Sequence, residues 1–429
     1  MKKNLLLAAA MLSGLFATAQ EGYTTVNVSL QPQYASQVYY KFSTNTQTPV
    51  AASGWDLSFD KAAGQMAMGG IHVNDARIRV FQAAGTEAGY ATVDVAQEAT
   101  WTELFNSHLT WTEGAFDNAD NDAPLAYGWG NYNMNSHHVD GVIVFVLKFA
   151  DGSYKKLFLD DFNPYNGEIT FKYASWNGTA WSADEVKTVN PSTLPSSNTS
   201  VFFSLQTNDV VTVAPADTAW DMVFRQYYGP VVSNGQTVMY KVTGALQSPL
   251  VAVAQVAETG NTGTTPNLPA ASAYSNEINT IGDDWKAFNG GGYAIDPANT
   301  YYVKYADGTV FRMYFTSFSG SAAGTLSFNY KNLSATAGME DFNKNSFGFY
   351  PNPSVDKNIT LIYDFSNSIS EKNTVSIYSM TGAKVFETEL TNNSGFYTQD
   401  INLSALTSGM YIVTMQSGKG SVSKKLVIQ

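Results

Sequence analysis

Trp55-Asp56-Leu57-Ser58-Phe59 and Trp220-Asp221-Met222-Val223-Phe224 are one short phrase written twice. In each, the first, third and fifth side chains are apolar and fall on one face of an extended chain, while Asp56 and Ser58, or Asp221 and Val223, take the other. An aromatic strand precedes both: Val38-Tyr39-Tyr40-Lys41-Phe42 in the first case, Val201-Phe202-Phe203-Ser204-Leu205 in the second. Further on, Trp129 corresponds to Trp285, and Leu147-Lys148-Phe149-Ala150-Asp151-Gly152 to Val303-Lys304-Tyr305-Ala306-Asp307-Gly308, at a constant offset of 156 residues. Ile169-Thr170-Phe171-Lys172-Tyr173 against Leu326-Ser327-Phe328-Asn329-Tyr330 closes the match. Conserved order over such lengths implies a tandem duplication.

The repeats read as β structure. Short aromatic and β-branched runs separated by Gly, Asn and Asp dominate, and the two Ala-Asp-Gly elements suit hairpin turns. Aromatic residues make up 14% of the chain, which supplies large side chains for sheet faces. The best helix candidate is Glu98 to Leu109. The expected fold class is all-β: two tandem antiparallel β domains of similar fold followed by a small immunoglobulin-like β-sandwich. Expected boundaries are a signal peptide at 1–19, a first domain at 20–187, a Pro/Ser-rich linker at 188–198, a second domain at 199–334, a linker at 335–346 and a tail domain at 347–429.

Both ends carry distinctive patterns. Met1-Lys2-Lys3, the apolar run from Leu5 to Phe16 and the small residues Ala17-Thr18-Ala19 have the layout of a secretory leader, too short to span a bilayer. No later segment is long and apolar enough to try. The tail opens on Tyr350-Pro351-Asn352-Pro353, alternates through Ile359, Leu361, Tyr363 and Phe365, and turns at Ser379-Met380-Thr381-Gly382-Ala383. It then runs through Leu403, Leu406 and Met410-Tyr411-Ile412-Val413 to end on Lys424-Lys425-Leu426-Val427-Ile428-Gln429. A formal charge of −12 argues against nucleic acid as a partner, because phosphate binding needs clustered Lys and Arg. With no cysteine there are no disulfides, thiolate metal sites or cysteine nucleophiles.

The tail motifs together resemble the C-terminal sorting domain read by the type IX secretion system of Bacteroidetes. That resemblance implies export across the outer membrane, the type IX machinery as partner of 347–429, and an extracellular or cell-surface location. The Trp-Asp element, its preceding aromatic strand, the Trp region and the late Asp-Gly hairpin make both repeats similar to the family named for the haem-binding lipoprotein HmuY. The second repeat keeps more of the pattern, with Arg225 after the motif and Ile281-Gly282-Asp283-Asp284-Trp285-Lys286; the first has Asp60 after the motif and Gly128-Trp129-Gly130 in the Trp region. Family members of known function scavenge haem at the cell surface, holding the iron between two side chains.

Haem is therefore the first ligand to weigh. All four histidines, His72, His108, His137 and His138, lie in the first repeat. His72 with His137 or His138 could ligate an iron from two loops, and the same residues could be scattered surface histidines. A glycan is the alternative: Trp176-Asn177-Gly178-Thr179-Ala180-Trp181 could display two indoles at a hairpin tip or pack them across strands. A structural adhesion role without haem belongs with that alternative. Asp117-Asn118-Ala119-Asp120-Asn121-Asp122 offers oxygens for Ca2+, but without the Gly and distal Glu of an EF-hand loop it reads first as an Asx-rich turn. Catalytic motifs such as Gly-x-Ser-x-Gly and His-Glu-x-x-His are missing, so the expectation is a binding protein and not an enzyme.

Overall fold

The computed structural model describes residues 22–62, 68–258, 268–334, 345–365, 372–391, 395–417 and 420–429. The expected leader at 1–19 lies outside them, as do residues 335–344 of the expected second linker. The first strands are β1 (Thr24–Ser29), β2 (Ser36–Lys41), β3 (Thr46–Ala51), β4 (Leu57–Asp60), β5 (Ile71–Val73), β6 (Ile78–Ala84), β7 (Thr102–Leu104), β8 (Gly130–Tyr132), β9 (Val139–Gly141), β10 (Val144–Phe149), β11 (Tyr154–Asn163) and β12 (Glu168–Ser175). They continue as β13 (Glu185–Val189), β14 (Ser200–Ser204), β15 (Asp209–Val211), β16 (Met222–Ser233), β17 (Gln236–Gln247), β18 (Val251–Ala257), β19 (Lys286–Phe288), β20 (Tyr293–Ile295), β21 (Asn299–Tyr305), β22 (Val310–Phe318) and β23 (Thr325–Asn332). Among the described residues, helix is confined to short 3-10 turns.

Two bodies form within residues 22–332. The first has a sheet in the order β13-β12-β11-β10-β6-β7, with β9 and β8 branching from β11, and a second sheet β15-β14-β4-β5. Leu57, Phe59, Trp129, Phe145, Leu159, Phe171 and Phe203 fill the core between them. The second body has sheets β1-β23-β22-β21-β18 and β17-β16-β2-β3 around Val28, Tyr40, Phe42, Phe224, Trp285, Phe315 and Phe328. The order β13-β12-β11-β10-β6 in one answers β1-β23-β22-β21-β18 in the other, and β15-β14-β4-β5 answers β3-β2-β16-β17, while β7 stands outside the match. Even the bulge recurs, between Leu159 and Asp161 on β11 and between Phe315 and Ser317 on β22. The matching hairpins turn on Gly152 at φ 85° and Gly308 at φ 89°, backbone that a side chain resists.

The sheets cut across the expected domain boundaries. β2 of the first repeat pairs with β16 of the second, Tyr40 opposite Met222, while β14 of the second pairs with β4 of the first, Phe203 opposite Leu57. β1 likewise joins β23. Each body thus takes its leading strands from the other repeat, so neither 20–187 nor 199–334 is a spatial unit. The buried aspartates of the repeated phrase hold the exchange. Asp56 Oδ2 accepts from the Leu205 N–H at 2.7 Å, and Asp221 Oδ2 accepts from the Phe42 N–H at 2.7 Å. Because the exchanged strands are near-copies, residue patterning suits either pairing, and sequence alone does not separate them.

The helix expected at Glu98 to Leu109 is a 3-10 turn, Val95–Thr100, followed by β7. Asp94 caps it through the Ala96 N–H, and both Glu98 oxygens are drawn to Lys148 Nζ at 2.8 Å. Thr100 and Thr102 around Trp101 then favour extended chain.

The tail is a separate unit. Its strands β24 (Asn345–Tyr350), β25 (Asn358–Phe365), β26 (Asn373–Ser379), β27 (Lys384–Leu390), β28 (Gly395–Asn402), β29 (Gly409–Ser417) and β30 (Gly420–Ile428) form two sheets, β24-β25-β28 and β27-β26-β29-β30. Leu361, Val375, Ile377, Val413 and Leu426 are fully buried between them. The expected hairpin is β26–β27, with Gly382 at φ 83°.

Candidate functional site

The face of each small sheet that turns away from its own core is set by strand alternation. On the first body this face carries Ser58 and Asp60 from β4, His72 from β5, and Ser200 and Phe202 from β14; on the second it carries Tyr39 from β2, Arg225 from β16 and Leu246 from β17. A cleft of about 100 Å3 lies between these faces, lined by them and by the loops that flank their strands. Its walls repeat each other. Trp55 meets Phe202 edge-on at 5.1 Å on one side, and Trp220 meets Tyr39 edge-on at 5.3 Å on the other. The segment from Phe105 to Thr112 closes one flank: Phe105 packs on Tyr228, Trp111 packs on Trp220 at 6.1 Å, and Trp111 Nε1 donates to the Gln247 carbonyl at 2.9 Å. Strands alone did not reveal the cleft. The signal in hindsight is the polar or aromatic residue at each alternate position around the Trp-Asp phrase.

Several of its polar groups are bonded to one another. Asp60 is shared, one oxygen 3.0 Å from His72 Nε2 and the other accepting from the Ser200 hydroxyl at 2.5 Å. Serine, aspartate and histidine are therefore together, but the serine and the imidazole each bond to the carboxylate and not to each other. That order lacks the nucleophile-to-base bond of a hydrolase triad. Asp75 is buried and accepts from Asn106 Nδ2 at 2.8 Å; burial raises its pKa against the pull of Arg225. Burial raises the Tyr39 phenol to about 12 and lifts the Asp217 carboxyl as well.

Burial alone would lower the His72 imidazole, but Asp60, with Asp117 and Asp75, outweighs it and holds the pKa above its usual value. The stabilisation from that pair is complete below the unfolded value of about 6.5 and fades as pH rises through the higher folded value. Asp117 lies behind this cluster, with one oxygen accepting from the Ile71 and Gly114 N–H groups at 2.9 and 2.7 Å and the other without a hydrogen-bond partner among the described residues. Burial pushes its carboxyl up to about 7. Folded Asp117 therefore holds a proton that the unfolded chain releases near pH 4, and stability from this group declines as pH climbs from about 4 to about 7. Asp117→Asn is expected to exceed the native chain in urea midpoint at pH 8 and to lose that advantage at pH 4.5. An equal gain at both pH values would assign the effect to something other than this proton.

The structure does not bring the expected haem ligands together. His72 lines the cleft, whereas His137 sits in a separate crevice of about 10 Å3 with Met68, Tyr127 and Tyr132, its Nδ1 2.7 Å from the Tyr132 hydroxyl. His138 is engaged elsewhere, 2.8 Å from Asp161. A cleft of about 100 Å3 is also well below the ~300–1,000 Å3 of drug-sized ligand sites. As built, these residues do not fit a porphyrin. Trp176 and Trp181 face each other across a β-bridge at 5.1 Å, with Trp181 Nε1 donating to the Val93 carbonyl at 2.9 Å, so the pair packs as a cross-strand contact. In the Asp117 to Asp122 segment, Asp117 is sealed inward, Asn121 donates to the Gly128 carbonyl and the Asp120 N–H to Gln82: an Asx-rich turn. Among the described residues no group of three or more His, Asp or Glu is placed to hold a metal ion, and no helix is long and apolar enough to cross a membrane.

Comparison with known families agrees with two parts of the chain. Residues 348–429 match the family described as secretion system C-terminal sorting domain, and residues 196–330 match the HmuY protein family. The first repeat has no such match, so the duplication rests on its sheets. Together the two matches support an exported or cell-surface protein. Among solved structures, apo PinO from Porphyromonas gingivitis is similar at 11% identity over 72% of this chain and 96% of its own, with a TM-score of 0.19. Escherichia coli alpha-2-macroglobulin activated by porcine elastase is similar at 9% identity over 95% of this chain and 35% of its own, with a TM-score of 0.16. No curated protein matches the chain.

Proposed function

We propose that this is an exported ligand-binding protein, carried out by the type IX machinery through its tail, and that its ligand occupies the cleft between the two bodies. The observation that supports the reading most is the cleft itself: aromatic walls from both repeats, with His72, Asp75 and Arg225 lining one space. A typical ligand site sets converging polar groups against apolar walls, and this space has both. Haem is the ligand suggested by the HmuY match, but the matched segment contains no histidine. A porphyrin at His72 would require parting the two walls of a cleft of about 100 Å3. A small ligand needs no such movement.

A thermal-shift panel of haemin, the common monosaccharides and the twenty amino acids, run on the chain without its leader, tests the reading. One class is expected to raise Tm by several degrees, and Ala214→Trp, which fills the cleft from its lining, is expected to abolish the rise. No shift with any class, or a shift that survives the filled cleft, would overturn it.

A further inference from the structure

The position that follows the repeated Trp-Asp phrase carries opposite charges in the two repeats, Asp60 in the first and Arg225 in the second. Both face the cleft. Asp60 is satisfied there by His72 and Ser200. Arg225 is not: its guanidinium lies over the Trp55 ring of the opposite wall, 5.4 Å from the centroid, and its one hydrogen bond among the described residues runs from Nε to the Gln226 carbonyl at 3.2 Å. The terminal nitrogens, the two that grip a carboxylate side by side, have no protein acceptor among the described residues.

Asp75 lines the same space and is 4% exposed, with Asn106 as its one hydrogen-bond partner among the described residues. It lies within the electrostatic reach of Arg225 and yet forms no ion pair with it. Arg225, His72 and Lys241 all act on the Asp75 charge, and Arg225 and Asp75 share one space without touching, so a ligand bearing both signs can meet each of them. Asp217, the remaining acid of the lining, is bonded to Thr199. A cleft of about 100 Å3 suits a small molecule, and Trp55, Phe202, Tyr39 and Trp220 offer an apolar wall to the side chain of an α-amino acid.

Resting on the cleft as the ligand site, we infer that the ligand is a free aliphatic α-amino acid, its carboxylate gripped by Arg225 and its ammonium by Asp75. Calorimetric titration of the chain without its leader should use L-valine and L-leucine, then 3-methylbutylamine and 4-methylpentanoate, which lack one charge each. The amino acid is expected to bind at least ~10-fold more tightly than either analogue. Arg225→Gln should erase its preference over the amine, and Asp75→Asn its preference over the acid. Arg225→Lys, which keeps the charge but loses the fork, should fall between, and near-ultraviolet circular dichroism on each variant reports whether the fold is kept. Analogues binding as well as the amino acid, or both variants weakening all probes equally, would overturn the inference. If haemin or a sugar binds and the amino acids do not, this inference falls and the cleft reading stands; if nothing binds, both fall.

Discussion

A chain lacking residues 22–54 is expected to lose the second body and keep the first. Those residues contain β1 and β2, which pair with β23 and β16 across more than a hundred and fifty residues of chain, and β3, which pairs with β2. Val26, Val28, Leu30, Val38, Tyr40 and Phe42 are each 3% exposed or less in that core. Burying one large apolar side chain is worth about 1.5–3 kcal/mol, so losing six approaches the whole 5–15 kcal/mol by which a domain is stable. Two sheet edges would also be opened to water. β13 to β15, the equivalent strands of the second repeat, cannot fill the gap while they complete the first body. Hydrogen exchange should therefore show protection kept across 57–211 and lost across 222–332. Equal protection of both regions in the truncated chain would mean that the strands are not shared as described.

Why this exchange escapes a reading of residues is a matter of what alternation encodes. Val38-Tyr39-Tyr40 and Val201-Phe202-Phe203 give a strand and its buried face, and the structure has both. They do not give the neighbour, because the Trp-Asp strand of either repeat presents the same surface. The hairpins at Gly152, Gly308 and Gly382 were legible, since a positive φ at a fixed place leaves few residue choices. Histidine positions carried less: His72 was visible as a candidate, but its partner is Asp60, twelve residues away and on the adjacent strand. Arg225 stood out as a departure between the repeats, yet its importance came only when the two sheet faces were set against each other. Chemistry at a site built from two repeats depends on their pairing, the one property that duplication makes ambiguous.

That ambiguity can be removed by a substitution at the latch itself. Asp221 is fully buried and accepts three hydrogen bonds, from Lys41 Nζ at 2.7 Å, from the Phe42 N–H at 2.7 Å and from the Tyr305 hydroxyl. Two of those donors belong to the first repeat and one to the second. Asp221→Ala leaves the Phe42 N–H buried without an acceptor and the Lys41 ammonium without its counter-charge, a class of change that costs about 3–5 kcal/mol. A fall in Tm on the order of 10 °C is expected. Asp56→Ala should cost less, because its carboxylate accepts one backbone bond, from Leu205, and its ion pair with Arg77, at 3.1 Å, is not aligned as a hydrogen bond. The location of the damage carries more than its size. With strands exchanged, Asp221→Ala frees the amide of Phe42 and Asp56→Ala that of Leu205. In a chain whose repeats each closed on themselves, the assignments would be reversed, and residue-resolved exchange on the two variants reads the difference directly.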